Sequence, residues 1–314
     1  DDLTIVNFEG TLTDSTYIPS SKKNNDFLFS APPEYVEMLT KNGVEAVSLE
    51  NNHVMDHGED AYIETQTHLS NAGVVWSGDG QLGVIEVKGI EIAMLSYLCI
   101  DRYEQLWDKV PADIQAAKAQ YPPVIVNFHW GNELMYHPTD NQIKMGRLAV
   151  DSGADLVLGH HSHRIQPIEQ YKGVYICYSL GNFCFGGNRL AYQKKGSKVQ
   201  DAAPALLVRA VLTFDDEGTY KGQQLTLYPV QTTSVDRVGT DDQPNNYQPK
   251  FITGPLGAHV LHLMQIDMNY KNRLMDDQNK ALKQLVIDKE NELAAMESSE
   301  GMSSLTLPYL PANP

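Results

Sequence analysis

The chain has 314 residues, room for about two domains at ~150 residues each or for one large α/β domain with a sizeable core. Lys and Arg number 24 against 40 Asp and Glu, a formal charge of −16, which excludes non-specific binding to nucleic acid or to an anionic membrane surface because both need a broad positive field. A hydrophobic share of 42% with 20% charged residues excludes a disordered chain, and no run approaches the ~20 apolar residues of a membrane span.

In chain order, Leu3–Phe8 (LTIVNF) reads as a strand. Pro33–Asn42 reads as a helix with Pro at its start and Gly43 at its end. Val44–Leu49 is a strand, and Gly58–Ala72 a helix with Tyr62, Thr65 and Leu69 at helical spacing, stopped by Gly73. Val84–Val87 and Ile90–Leu98 flank Lys88-Gly89, a hairpin signal. Val124–Phe128 is a near-continuous apolar strand, and Gln142–Ser152 a helix ended by Gly153. Leu156–Leu158, Val174–Tyr178, Leu206–Phe214 and Gln223–Val230 are the remaining predicted strands. The polar, turn-rich stretch Asp236–Lys250 reads as a loop, and Met268–Met296 as one long helix or two shorter ones. Early strand–helix alternation followed by hairpin-like strands gives an α/β domain with two sheets or one mixed sheet. Residues 1–235 form this domain, and 236–314 a loop and helical region packed on it. Cys99, Cys177 and Cys184 sit in apolar or aromatic settings and are expected to be buried free thiols.

Polar residues follow directly on apolar strands five times. Asn7 and Glu9 close the first strand and, by alternation, share a face. Asn51, Asn52 and His53 follow VEAVSLE, with Asp56 three residues on. His129 follows VIVNF; His160, His161 and His163 follow ADLVLG; Asn182 follows VYICYSLG. Ligands of open α/β sheets bind outside the carboxyl ends of strands, so these five ends are expected to meet in one crevice. Each part alone has an ordinary reading: a common H-x-H, a turn or cap at Asn52-His53, a core pair at His129-Trp130, a salt bridge or cap at Glu9. Together, Glu9, Asn52, His129, His161 and His163 form a mixed N/O ligand set without thiolate, suited to Zn, Mn or Fe. They suffice for one or two divalent ions, and a two-metal site clamps the attacking and leaving oxygens of a displacement at phosphorus.

At these residues the sequence resembles the bacterial capsule-synthesis CapA/PgsA family, the poly-γ-glutamate biosynthesis proteins related to calcineurin-like metallophosphoesterases. NFEGTLTD, LENNHVMDHGEDAYIETQTHL, NFHWGNELMYHPTDNQ, GADLVLGHHSHRIQPIE and YSLGNFCFG carry the resemblance, from Asp2 to about Val230. It implies a four-layer α/β/β/α metallophosphatase-like sandwich with a C-terminal helical extension. It also implies that Asn52 binds metal, that His53 is a general acid or transition-state donor oriented by Asp56, and that His161 and His163 match a closing Gly-His-x-His element. His129 matches an isolated metal-binding His, and Glu9 stands where the phosphoesterases usually place Asp. His53, Asp56 and His160 are the candidate catalytic residues; Asn7, Asn51 and Asn182 are candidate substrate contacts. Arg189, Lys194 and Lys195 lie in a locally basic loop, either solvated surface or a clamp for an anionic substrate.

The expected partners are an anionic polymer or phosphoester and membrane polymer-synthase subunits, with no nucleic acid. The expected function is capsule polymer biosynthesis, acting on or transferring the anionic polymer; the alternatives are a metal-dependent phosphoesterase or hydrolase of another substrate and a non-catalytic polymer-binding accessory subunit. The family pattern places a strand ending in Gly-Asp before NFEG, and none stands upstream of Asp1. Upstream residues are therefore expected, and the resemblance implies that they include a segment anchoring the chain at the extracytoplasmic face of a bacterial membrane. Without that Asp, a single-metal site stays open beside a dinuclear one.

Overall fold

The computed structural model describes residues 1–24, 27–185, 204–232, 248–264 and 303–312. These fall into two compact units, Asp1–Gly131 with Lys144–His160, and Asn132–Ile143 with His161–Pro314.

The first unit opens with β1 (Ile5–Asn7) and the short parallel pair β2 (Thr11–Leu12) and β3 (Ser30–Ala31). The helix predicted over Pro33–Asn42 is realised as a 3-10 turn, Pro33–Val36, running into α1 (Glu37–Thr40). Strands β4 (Ala46–Ser48) and β5 (Val75–Ser77) are joined by α2 (Glu59–Asn71), and β1-β4-β5 form a parallel sheet with Asn7, Ser48 and Ser77 in register at its carboxyl edge. Alternation splits this sheet's faces. Val47 and Leu49 pack with Leu12, Tyr62 and Leu69 on the α2 side, whereas Ala46 packs with Ile85 and Met94 of the neighbouring sheet.

That neighbouring sheet contains β6 (Gly83–Val87), β7 (Ile90–Leu98), β8 (Val124–His129) and β9 (Leu156–His160). β6 and β7 form the predicted hairpin, and both turn residues, Lys88 and Gly89, are left-handed (φ 52° and 82°), as a tight two-residue turn requires. β7, β8 and β9 run parallel, with Leu98, His129 and His160 in register at their carboxyl ends. Helix α3 (Tyr103–Leu106) precedes α4 (Lys109–Lys118), which packs on β7 and β8 through buried Val110, Ile114 and Ala117. Asp155 ties α4 to this sheet: it accepts from Lys118 Nζ at 2.5 Å and from Val124 N at 2.8 Å. The described elements thus make a mixed α/β fold with several sheets.

Helix α5 (Asp140–Asp151) starts two residues before the predicted helix. Thr139 and Gln142 form a capping box, with Gln142 N donating to Thr139 Oγ1 at 3.2 Å and Thr139 N donating to Gln142 Oε1 at 2.8 Å.

In the second unit, β10 (Ile168–Tyr171) and β11 (Val174–Cys177) form a hairpin, and β12 (Pro204–Phe214) pairs with β13 (Tyr220–Gln231) over their full length. The other edge of β13 takes β14 (Lys250–Phe251), β15 (Leu305–Thr306) and β16 (Leu310–Pro311). Gly222 (φ 142°) permits the last of these, because a Cβ there would stand 2.3 Å from Leu310 O. Residues expected only as loop and helix therefore contribute strands. Helix α6 (Gly254–Met264) buries Val260, Leu261 and Met264. The helix predicted over Met268–Met296 and nearly all of the loop predicted over Asp236–Lys250 lie outside the described residues. Among the described residues no helix is long and apolar enough to cross a membrane.

Candidate functional site

In the first unit, the loops after β1, β4 and β8 bring together Asn7, Glu9, Asn52, His53, Asp56 and His129. The loop after β4 is braced by Asn51, which is buried, donates from Nδ2 to Phe8 O at 2.8 Å and accepts from His53 N at 3.0 Å. Asn51 was expected to contact substrate; its side chain instead satisfies backbone groups of two loops, the usual fate of a buried amide. Asn7 likewise turns to a neighbour, donating from Nδ2 to Glu9 Oε2 at 3.2 Å. The other carboxylate oxygen, Glu9 Oε1, stands 3.9 Å from His53 Nε2 and 4.0 Å from His129 Nε2. His129 Nε2 donates to Asn52 Oδ1 at 2.7 Å, so two residues expected to ligate a metal bond to each other.

His53 Nδ1 donates to Asp56 Oδ2 at 2.6 Å, and the His53 ring lies on Phe29 with centroids 4.2 Å apart. Asp56 is fully buried and also accepts from Lys22 Nζ at 2.7 Å and Phe29 N at 2.8 Å. Burial alone would raise its carboxyl, but the bonds from His53, Lys22 and Phe29 outweigh it and hold the carboxyl below its ordinary value. An ionised Asp56 fixes the His53 tautomer and leaves Nε2 pointing away from it.

His160 pairs in register with His129, so both side chains leave the same face of the sheet. Its Nε2 is shielded and makes no hydrogen bond among the described residues, and burial pushes its pKa down to about 4.

In the second unit, His161 and His163 meet a residue that the sequence reading overlooked. Ligand atoms of Glu133, His161 and His163 all lie within 4.8 Å of one another. Two local devices build this cluster. Leu134 N donates to Ser162 O at 2.7 Å, drawing the Glu133 loop onto the His-Ser-His loop. Buried Gln166 donates to the carbonyls of Met135 and His137, both at 3.0 Å, and accepts from Gln142 Nε2 at 3.1 Å. Both His161 (φ 93°) and His163 (φ 53°) adopt left-handed backbone, a costly state for non-glycine residues that marks functional loops. His163 Nδ1 donates to Asn182 Oδ1 at 2.9 Å, which leaves a lone pair on Nε2. Asn182, expected at substrate, orients an imidazole here.

Lys22, Phe29 and Glu133 were not among the expected site residues. Glu133 had a readable signal, an acidic residue four positions after the strand-end His129. Lys22 had none, because it lies in a polar run (PSSKKNN) that reads only as loop. Arg189, Lys194 and Lys195 lie outside the described residues. Cys99 and Cys177 are buried as expected, whereas Cys184 is exposed.

A family model described as "Bacterial capsule synthesis protein PGA_cap" matches residues 1–187. The chain is 33% identical over 172 residues to the Bacillus subtilis "PGA biosynthesis protein CapA", covering 48% of this chain and 45% of that protein. It is 30% identical over 187 residues to the Bacillus anthracis "Capsule biosynthesis protein CapA", covering 52% and 46%. A Mycobacterium tuberculosis "Probable polyglutamine synthesis accessory protein" is 25% identical over 211 residues, covering 58% and 55%. The chain spans about half the length of these curated relatives. With strand-end carboxylate, amide and imidazole groups inside the matched stretch, the chain belongs to the bacterial capsule synthesis protein family PGA_cap.

Proposed function

We propose that this chain serves in synthesis of a poly-γ-glutamate capsule polymer and handles the anionic polymer at a site using a divalent ion, Mn, Zn or Fe, at the extracytoplasmic face of a bacterial membrane. One observation carries this reading: the family match over residues 1–187 contains every residue of both clusters, from Asn7 to Asn182. Residues of the second cluster fit an ion. Ligands at about 2.0–2.2 Å from one metal are no more than ~4.4 Å apart, close to the 4.8 Å within which Glu133, His161 and His163 already stand. An ion held there supplies Lewis-acid polarisation and hydroxide near neutral pH.

The first unit carries an acid–base set of its own. Asp56, fixed by Lys22 and Phe29 N, holds His53 so that Nε2 can place a proton on a leaving group. Glu9 Oε1, near both His53 and His129, stabilises positive charge as it develops on either ring. In the non-catalytic variant of this reading, the same groups bind the polymer for the synthase.

The test is binding of labelled poly-γ-glutamate to the purified chain, with Mn²⁺ and with a chelator, beside turnover of a phosphodiester and of γ-linked glutamate peptides. Metal-dependent polymer binding, weakened at least tenfold by His163→Ala, is expected. Phosphodiester turnover without any polymer binding would replace this reading with that of a phosphoesterase acting on another substrate.

A further inference from the structure

A second recess in the first unit has no part in the chemistry above. It is a cavity of about 240 Å³ at the carboxyl ends of β4, β5 and β7, and none of Glu9, Asn52, His53 or His129 lines it. Its lining includes two acidic residues, Glu50 and Asp79, two basic ones, Arg102 and Lys109, and Ser96 and Tyr97. The carboxylate pair is built, not incidental. Asp79 N donates to Glu50 Oε2 at 2.6 Å. Gly78 makes this approach feasible, because a Cβ there would meet Leu49 O at 2.5 Å, and Asp79 itself is left-handed (φ 49°). Burial raises the Glu50 carboxyl above its ordinary value; the Asp79 N–H opposes this, the Asp79 carboxylate adds to it, and Arg102 and Lys109 oppose it more weakly. Two carboxylates in a partly shielded recess are relieved by a bound cation.

Lys109 already pairs with Asp113 at 2.6 Å, which leaves Arg102 as the main anion contact. A ligand matching this lining carries an ammonium and a carboxylate close together. The volume is below the ~300–1,000 Å³ of sites for drug-sized ligands, so it suits one amino-acid-sized group.

We infer that this cavity is a subsite for the amino-terminal residue of a γ-linked glutamate chain, with Glu50 and Asp79 on its α-ammonium and Arg102 on its α-carboxylate. The inference rests on the capsule-polymer reading and deepens it. In a γ-linked chain the peptide bond uses the side-chain carboxyl, so the amino-terminal residue alone keeps both α-ammonium and α-carboxylate. Interior residues have the carboxylate without the ammonium, and an α-linked chain begins with the ammonium but no adjacent carboxylate. The lining thus distinguishes the end of the polymer from its body, and γ-linkage from α-linkage.

Calorimetric titration of the full chain with γ-glutamylglutamate, its N-acetyl derivative and α-linked glutamylglutamate tests this. The γ-dipeptide is expected to bind, with acetylation, the α-linkage, Glu50→Gln and Arg102→Gln each weakening it at least tenfold. Arg102 is exposed, so Arg102→Gln keeps the test valid if Glu50→Gln impairs folding. Equal binding of the acetylated dipeptide, or undiminished binding in Arg102→Gln, overturns the subsite. Dipeptide binding that is unchanged in both variants, with metal-dependent binding of long poly-γ-glutamate intact, removes the subsite while the capsule-polymer reading stands. Free glutamate binding in a Glu50-dependent way, with no γ-linked chain bound, overturns both the occupant named here and that reading.

Discussion

Asp56→Ala is expected to lower the unfolding free energy by roughly 3–5 kcal/mol, the usual cost of removing one partner of a buried ion pair. The carboxylate is fully buried and collects three donors, from His53, Lys22 and the Phe29 backbone. Its removal leaves a largely shielded ammonium without its counter-charge and frees the imidazole to turn. Asp56→Asn keeps the shape and loses the charge, so it is expected to fall between wild type and alanine. The pH dependence has a defined sign. The folded carboxyl titrates below its ordinary value of 3.8, so its contribution is fully present above that value. It is lost as pH falls through the folded value, because the unfolded state then binds the proton first. Urea unfolding of wild type and Asp56→Asn should therefore show a gap at pH 6–7 that narrows in acid. A gap that widens in acid would mean that Asp56 is not held ionised by these donors.

The second large effect concerns metal affinity. His163→Ala and Glu133→Gln are each expected to weaken Mn²⁺ or Zn²⁺ binding more than about 100-fold, because each removes a direct ligand, whereas loss of an orienting partner costs ~10–100-fold. Asn182→Ala belongs to the milder class, since Asn182 bonds to His163 Nδ1 and orients that ligand. Calorimetric titration with each ion orders the variants. Equal affinity in Glu133→Gln and wild type would remove Glu133 from the ligand set.

The strands that carry these groups were legible because β-branched runs with a polar residue at the carboxyl end are a strong local pattern. VIVNF ending at His129 and VEAVSL ending near Asn52 appear where expected, with ends displaced by a residue or two. Helix α5 begins early because the Thr139–Gln142 capping box extends it beyond its apolar stripe. Helix α4 went unread, since Val110, Ile114 and Ala117 make a sparse stripe beside Pro111. Strands of two residues such as β14, β15 and β16 have no periodicity to read; their place is set by the edge of β13.

Within the candidate site, residue types were easier to read than their partners. Asn51 and Asn52 look equivalent in sequence, yet one braces two loops and the other faces His129. Lys22 reaches Asp56 across 34 residues of chain, a pairing that only tertiary packing sets. Glu133 becomes a neighbour of His161 and His163 through backbone bonds that no spacing rule encodes.

Anomalous diffraction from crystals grown with Mn²⁺ or Zn²⁺ tests the metal proposal most directly. A peak about 2.0–2.2 Å from ligand atoms of Glu133, His161 and His163 is expected. Saturating ion with no peak at those three residues would contradict it.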